Sequence, residues 1–178
     1  MRLKWKTFGP ANSGTAAVEF ALIAPVFLTL MFAVFEVGLA FFADLVLANG
    51  LGTASRLIRT GQAQSQNLSA AQFRTVLCDK IKHMLSCDSS KLLIDVRSFS
   101  NFGSAAFPQA LDGAGNVNPA LNSYQTGGSS QNGNNAIVLV RAFYKWKMNT
   151  PLLGAYFSNA QNNTRLLSTS VAFRNEPF

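Results

Sequence analysis

The sequence predicts an α+β fold: one long N-terminal transmembrane helix, then a small domain in which a helix packs on a roughly three-stranded antiparallel sheet. Three observations carry that expectation. Apolar residues crowd toward the N-terminus of the 178-residue chain. A capped amphipathic helix follows, and three later stretches alternate apolar and polar residues with the period of a strand.

Between Phe20 and Ala43 the only charge is Glu36. A helix rising about 1.5 Å per residue makes this run roughly 36 Å long, enough to cross a hydrocarbon core of about 30 Å. Pro25 falls inside it, where membrane helices tolerate proline because neighbouring groups re-satisfy the freed carbonyl, and a kink is expected there. Arg2, Lys4 and Lys6 precede the run, whereas Asp44 and a neutral stretch up to Arg56 follow it. Positive-inside bias therefore puts the N-terminus in the cytoplasm and everything beyond about Asp44 across the membrane. The net charge of +7 includes those three head residues, with the others scattered. No basic run interleaves with aromatics, so composition offers no nucleic-acid partner.

Past the span, Leu47, Leu51, Ala54 and Ile58 keep a helical stripe while Arg56 and Arg59 fall elsewhere. The helix is thus expected to continue as an amphipathic extension, weakened by Gly50 and Gly52. The boundaries expected are a leader at 1–14, the helix with its extension at 15–60, and an exported α+β domain at 61–178. After the polar linker "TGQAQSQN", Ser69 and Gln72 form a capping box, and Phe73, Leu77, Ile81, Met84 and Leu85 line one face of a second helix ending near Ser86. Cys78 and Cys87, an even number at close spacing in an exported domain, read as one disulfide, the alternative being two unrelated buried thiols. A continuous helix would hold them roughly 13 Å apart, so a bond requires the chain to turn back before Cys87.

Three strand candidates complete the fold. "KLLIDVRSF" puts Leu92, Ile94 and Val96 on one face and Asp95 and Arg97 on the other; "AIVLVRAFYKWKM" sets Val138, Val140, Ala142, Tyr144 and Trp146 opposite Arg141, Lys145 and Lys147. In "RLLSTSVAF", Leu167, Thr169, Val171 and Phe173 alternate. A Gly/Asn/Ser-rich loop at 100–135 joins the first two, and a short helical piece near Pro151 lies between the last two.

Enzyme signatures are scarce, and no catalytic, metal or cofactor residues are assigned. His83, the only histidine, could activate a neighbouring cysteine only if that thiol were free, and alone it cannot build a zinc site. "DGAGN" at Asp112 to Asn116 lacks the acidic ligands of a calcium loop and reads as a tight turn.

The N-terminal junction is the distinctive stretch. A cut after Gly14 would free an amine on Thr15 and leave Glu19 at the fifth position of the new chain. In a bundle of such helices the Glu19 carboxylate of one subunit can meet the Thr15 ammonium of its neighbour, and mismatched stacking leaves both unpaired. The alternative is a carboxylate that sits at headgroup level by chance.

The stretch "GTAAVEFALIAPVFLTLMFAVFEVGLAFF" resembles the N-terminal signature of TadE-like pseudopilins, minor pilin-like proteins of tight-adherence (Flp) pilus systems. The points of likeness are Gly14, the string Val18 to Ala21 with Glu19 and Phe20, Pro25, and Glu36 followed by Gly38. "ASRLIRTGQA" and the ending "VAFRNEPF" resemble the family as well. The resemblance implies a pilin-like fold, processing between Gly14 and Thr15 by a prepilin peptidase, and alignment of the subunit through Glu19. It implies an inner-membrane protein with a periplasmic domain that assists assembly or initiation of a pilus. Its implied partners are the peptidase, a major Flp-type pilin, other pseudopilins, an assembly platform and the lipid bilayer. The leader, longer than usual, holds Trp5 and Phe8.

Ala33, Glu36, Ala40 and Ala43 share one helical stripe whose small residues would admit another helix, so Glu36 either faces a pilin or platform protein or sits wet at the end of the span. Two competing functions stay open. One is a secreted or membrane-anchored binding protein or adhesin whose ordinary signal peptide is cut after Ala43, although the run exceeds a usual h-region. The other is a membrane-tethered enzyme, for which no catalytic set is found.

Overall fold

The computed structural model describes residues 13–127, 136–150 and 153–176. The basic head residues, Trp5, Phe8, loop residues 128–135, Pro151, and the final Pro177 and Phe178 lie outside them. Helix α1 runs Ser13–Arg59, unbroken through Pro25, and the Thr29 hydroxyl donates to the Pro25 carbonyl at 2.7 Å. A single turn, α2 (Gln62–Ser65), occupies what the sequence presents as a plain polar linker, because Ala63 is buried there. Helix α3 (Ala70–Ile81) starts at the Ser69–Gln72 capping box. Strands β1 (Leu92–Phe99), β2 (Ile137–Lys147) and β3 (Thr164–Arg174) form an antiparallel sheet in the order β1-β2-β3, with α4 (Leu153–Phe157) between the last two. The register pairs Ile94 with Ala142 and Ala142 with Thr169.

Two stripes that look separate in the sequence form one seam on α1. Glu36, Ala40, Ala43, Leu47, Leu51, Ala54 and Ile58, spaced three or four residues apart, are all buried. This spacing keeps one face of a helix turned to one neighbour over many turns. That neighbour is the sheet, through Val138, Val140, Ala142, Tyr144 and Leu167, so α1 lies directly on it and contacts β3 most extensively. Helix α3 packs on α1 through Phe73, Leu77 and Ile81 and reaches β1 through the Arg74 guanidinium, which donates to the Leu92 carbonyl at 2.7 Å.

The closest approach of α1 to α3 falls at Gly50, where an added Cβ would sit 2.5 Å from Cγ2 of Ile81. Gly50 is therefore a packing requirement and not merely a weak point of the helix. At Gly52 nothing lies within 4 Å.

Helix α3 ends at Ile81, earlier than the Ser86 expected, because the chain reverses through a tight turn in which Met84 and Leu85 donate to the Ile81 carbonyl. The reversal brings Cys87 back to Cys78, and the two form a disulfide with their Cα atoms 5.7 Å apart.

The opposite face of the sheet is not a solvent face. Residues 100–127 fold back over it, and Leu121, Phe143 and Leu166 form a second small core there. At its centre Asp95, fully buried, accepts from Arg141 at 2.6 Å, from Arg97 at 3.0 Å and from the Ser123 amide at 3.2 Å. The Arg141 guanidinium also lies over Phe107 and Phe143 and donates to the Pro108 carbonyl. A buried carboxylate is tolerable only when paired and hydrogen-bonded, and these partners come from β1, β2 and the loop together. Tyr124 pairs the loop's end with the edge of β1 at Val96, and burial pushes its hydroxyl up to about 12. In the loop, Asp112 accepts from the side chain and amide of Asn116 and from the Ala114 amide, bonds that hold its carboxyl below the usual range. It forms a hydrogen-bonded turn, with Gly115 at φ 78°.

Thermal unfolding should separate the two glycines: Gly50→Val is expected to cost about 2 kcal/mol by overpacking against Ile81, while Gly52→Ala gains about 1 kcal/mol from helix propensity. Arg141→Ala should cost about 3–5 kcal/mol, since it strips the principal partner from a buried carboxylate. Chemical denaturation of the disulfide-bonded chain reads it directly.

Candidate functional site

Below the seam, α1 projects free of the rest of the chain. Val18, Phe20, Leu22, Ile23, Val26, Phe27, Leu30, Phe32, Val34 and Phe35 are all exposed, an apolar surface on every side of the helix. A helix apolar all round and unburied belongs in a membrane. From Gly14 to Phe35 this projecting part is about 33 Å long at 1.5 Å per residue, close to the thickness of a hydrocarbon core. The chain has one such helix among its described residues, the form of a single-pass membrane anchor.

Gly14, Thr15, Glu19 and Phe20 all lie in the first turns of α1 and all are exposed. Among the described residues beyond its own helix backbone, nothing comes within 4 Å of a Cβ built on Gly14. Glu19 follows Thr15 by four residues and so shares its face of the helix. No hydrogen bond or ion pair to Glu19 exists among the described residues.

Glu36 sits where the projecting helix meets the head. It is 8% exposed, and its carboxylate accepts from the main-chain amides of Asn149 and Thr150, the latter at 2.8 Å. Both donors belong to the turn that leaves β2. Ala40 is buried on the same stripe, and Ala33, one turn below Glu36, is half-buried. In the chain by itself, then, Glu36 and Ala40 are buried against the head. Sequence reasoning missed Asn149 and Thr150 because they act through backbone amides, which leave no trace in side-chain chemistry.

Cys78 and Cys87 are both consumed by their disulfide, and His83 is exposed. Neither sulfur is available as a thiolate, which removes the nucleophile that His83 could have activated. A further tie runs from the end of α1 to the end of β3: Arg59 pairs with Glu176 at 3.1 Å, and the Glu176 amide donates to the Arg59 carbonyl at 2.9 Å. Buried Asn175 donates to the Thr126 and Gly127 carbonyls, both at 2.9 Å. The "RNE" of the ending thus ties the helix, the sheet and the long loop together.

Replacing Glu36 by Leu leaves two amides without their acceptor at the edge of the apolar zone, at a cost of about 1–3 kcal/mol each when an amide stays buried. The expected outcome is faster proteolysis within residues 148–157 for Glu36→Leu than for wild type, measured on the detergent-solubilised chain. Unchanged cleavage would show that the amides find other partners.

The family model described as TadE-like protein matches residues 14–56, the segment that forms nearly all of α1. No curated protein and no solved structure matches the chain. That segment, with its exposed Gly14–Phe20 string and its bilayer-length apolar surface, is where the chain is similar to TadE-like proteins.

Proposed function

We propose that the chain is a pseudopilin of a tight-adherence (Flp) pilus system, processed by a prepilin peptidase between Gly14 and Thr15. It stays in the inner membrane through α1, keeps its head in the periplasm, and assists assembly or initiation of a pilus built mainly from another pilin. The observation that carries this reading is Glu19, without a partner among the described residues, at the start of an exposed apolar helix of bilayer length. A carboxylate there is costly unless an opposite charge reaches it, and the ammonium created at Thr15 of a neighbouring subunit is such a charge. The likeness of residues 14–56 to the TadE-like family supports an association with a pilus, and the proposed partners follow from it: the peptidase, a major pilin, other pseudopilins and an assembly platform. The role is structural, with chemistry supplied by those partners.

The secreted reading requires cleavage after Ala43. Ala43 lies in the middle of the buried seam, so that cut would take Glu36, Ala40 and Ala43 out of the head's core. An ordinary signal peptide is discarded without damage to the fold it precedes.

Sequencing the N-terminus of the mature protein tests the proposal, with Thr15 expected and Asp44 fatal to it. In cells that assemble pili, Glu19→Leu should leave processing intact and sharply reduce pilus number. Normal piliation with fully processed Glu19→Leu protein would sink the role given to the carboxylate.

A further inference from the structure

Beside the junction lies a cavity of about 410 Å³ between α1 and the start of β3. Val37 and Phe41 on α1, Phe157 on α4 and Leu166 on β3 form its apolar walls, and Asp44 and Arg165 bring opposite charges to it. The Oδ1 atom of Asp44 is sealed from water and has no hydrogen-bond partner among the described residues. Arg165 donates through one nitrogen to the Phe157 carbonyl at 3.0 Å, and no other described residue takes its remaining donors. The acid and the guanidinium face the same space without forming an ion pair. Asp44 as a whole is only partly buried and lines the cavity, so its carboxylate can take a donor that enters there.

The position of the cavity narrows what that donor belongs to. Val37 to Asp44 climb about 10 Å along α1 from the end of the projecting helix. The polar headgroup layer occupies roughly 5–8 Å on each side of the hydrocarbon core. Phe41 is exposed on the rim of the cavity, and Tyr156, next to Phe157 in α4, is 83% exposed; aromatic side chains of this kind gather at a membrane surface. A ligand that fits has an apolar tail, an anionic group for Arg165 and, beyond it, a cation that donates hydrogen bonds to Asp44.

We infer that this cavity binds one phospholipid carrying a phosphoethanolamine headgroup. Its phosphate meets Arg165, its primary ammonium donates to the Asp44 carboxylate, and an acyl chain follows Val37 and Phe41 toward the bilayer. Phosphocholine carries the same charges, but its quaternary nitrogen has no N–H to donate to the Asp44 carboxylate. A phosphoglycerol headgroup brings no cation to the acid. The inference rests on α1 being in a membrane and not on any role in a pilus.

The test uses the full chain in detergent micelles with equal amounts of dioleoyl phosphatidylethanolamine, phosphatidylcholine and phosphatidylglycerol, with retained lipid read by native mass spectrometry. Phosphatidylethanolamine should be retained at least tenfold over the other two. Asp44→Asn should abolish the preference, and so should Ser168→Trp, which fills the cavity from an exposed position on β3. Equal retention of the three lipids by the unaltered chain overturns the inference, whether or not either variant folds. Preference preserved in both variants overturns it as well. Excess glycerophosphoethanolamine should fail to displace the lipid; displacement would assign the site to a soluble headgroup and refute the lipid.

Discussion

One helix has to satisfy two solvents, and the head is arranged around the point where they change. Below Glu36, α1 is apolar on every side, as hydrocarbon requires; above it, a narrow stripe of alanine, leucine and isoleucine presses on a sheet. Small residues lead the seam at Ala40 and Ala43, and the larger Leu47 and Leu51 follow, all of them buried. The carboxylate at the changeover takes its hydrogen bonds from Asn149 and Thr150, so the membrane exit and the turn after β2 are set by the same contact.

The head is held to that helix from both sides. Helix α3 comes close enough to touch only because residue 50 has no side chain, and the last described residues return to grip the end of α1 through Glu176. On the far face, a loop with little regular structure is anchored by a single buried carboxylate and two arginines. Local propensity has little to do with this arrangement; long-range polar pairing holds it.

Much of the fold was legible because it obeys simple periods. The stripe from Glu36 to Ile58, the Ser69 capping box and the alternation in "KLLIDVRSF" each follow from the geometry of a single element. What escaped was whatever depends on two distant elements meeting. Gly50 reads as a helix breaker until Ile81 is placed against it. Asp95 and Arg141 read as a solvent face until the loop covers them. The partners of Glu36 are main-chain groups and could not be read from side chains at all. At the N-terminal junction the limit is different: Gly14, Thr15 and Glu19 are easily recognised, but the groups they are expected to meet belong to other molecules.

The seam also decides how the molecule bears load. The sheet grips α1 along its flank from Glu36 to Ile58, parallel to the helix axis, so a pull that lifts the helix out of lipid strains the whole row of side chains at once. Contacts loaded in shear yield together, whereas contacts peeled from one end yield in turn. A subunit built this way can be drawn from a bilayer by its head without the head coming away from its stem.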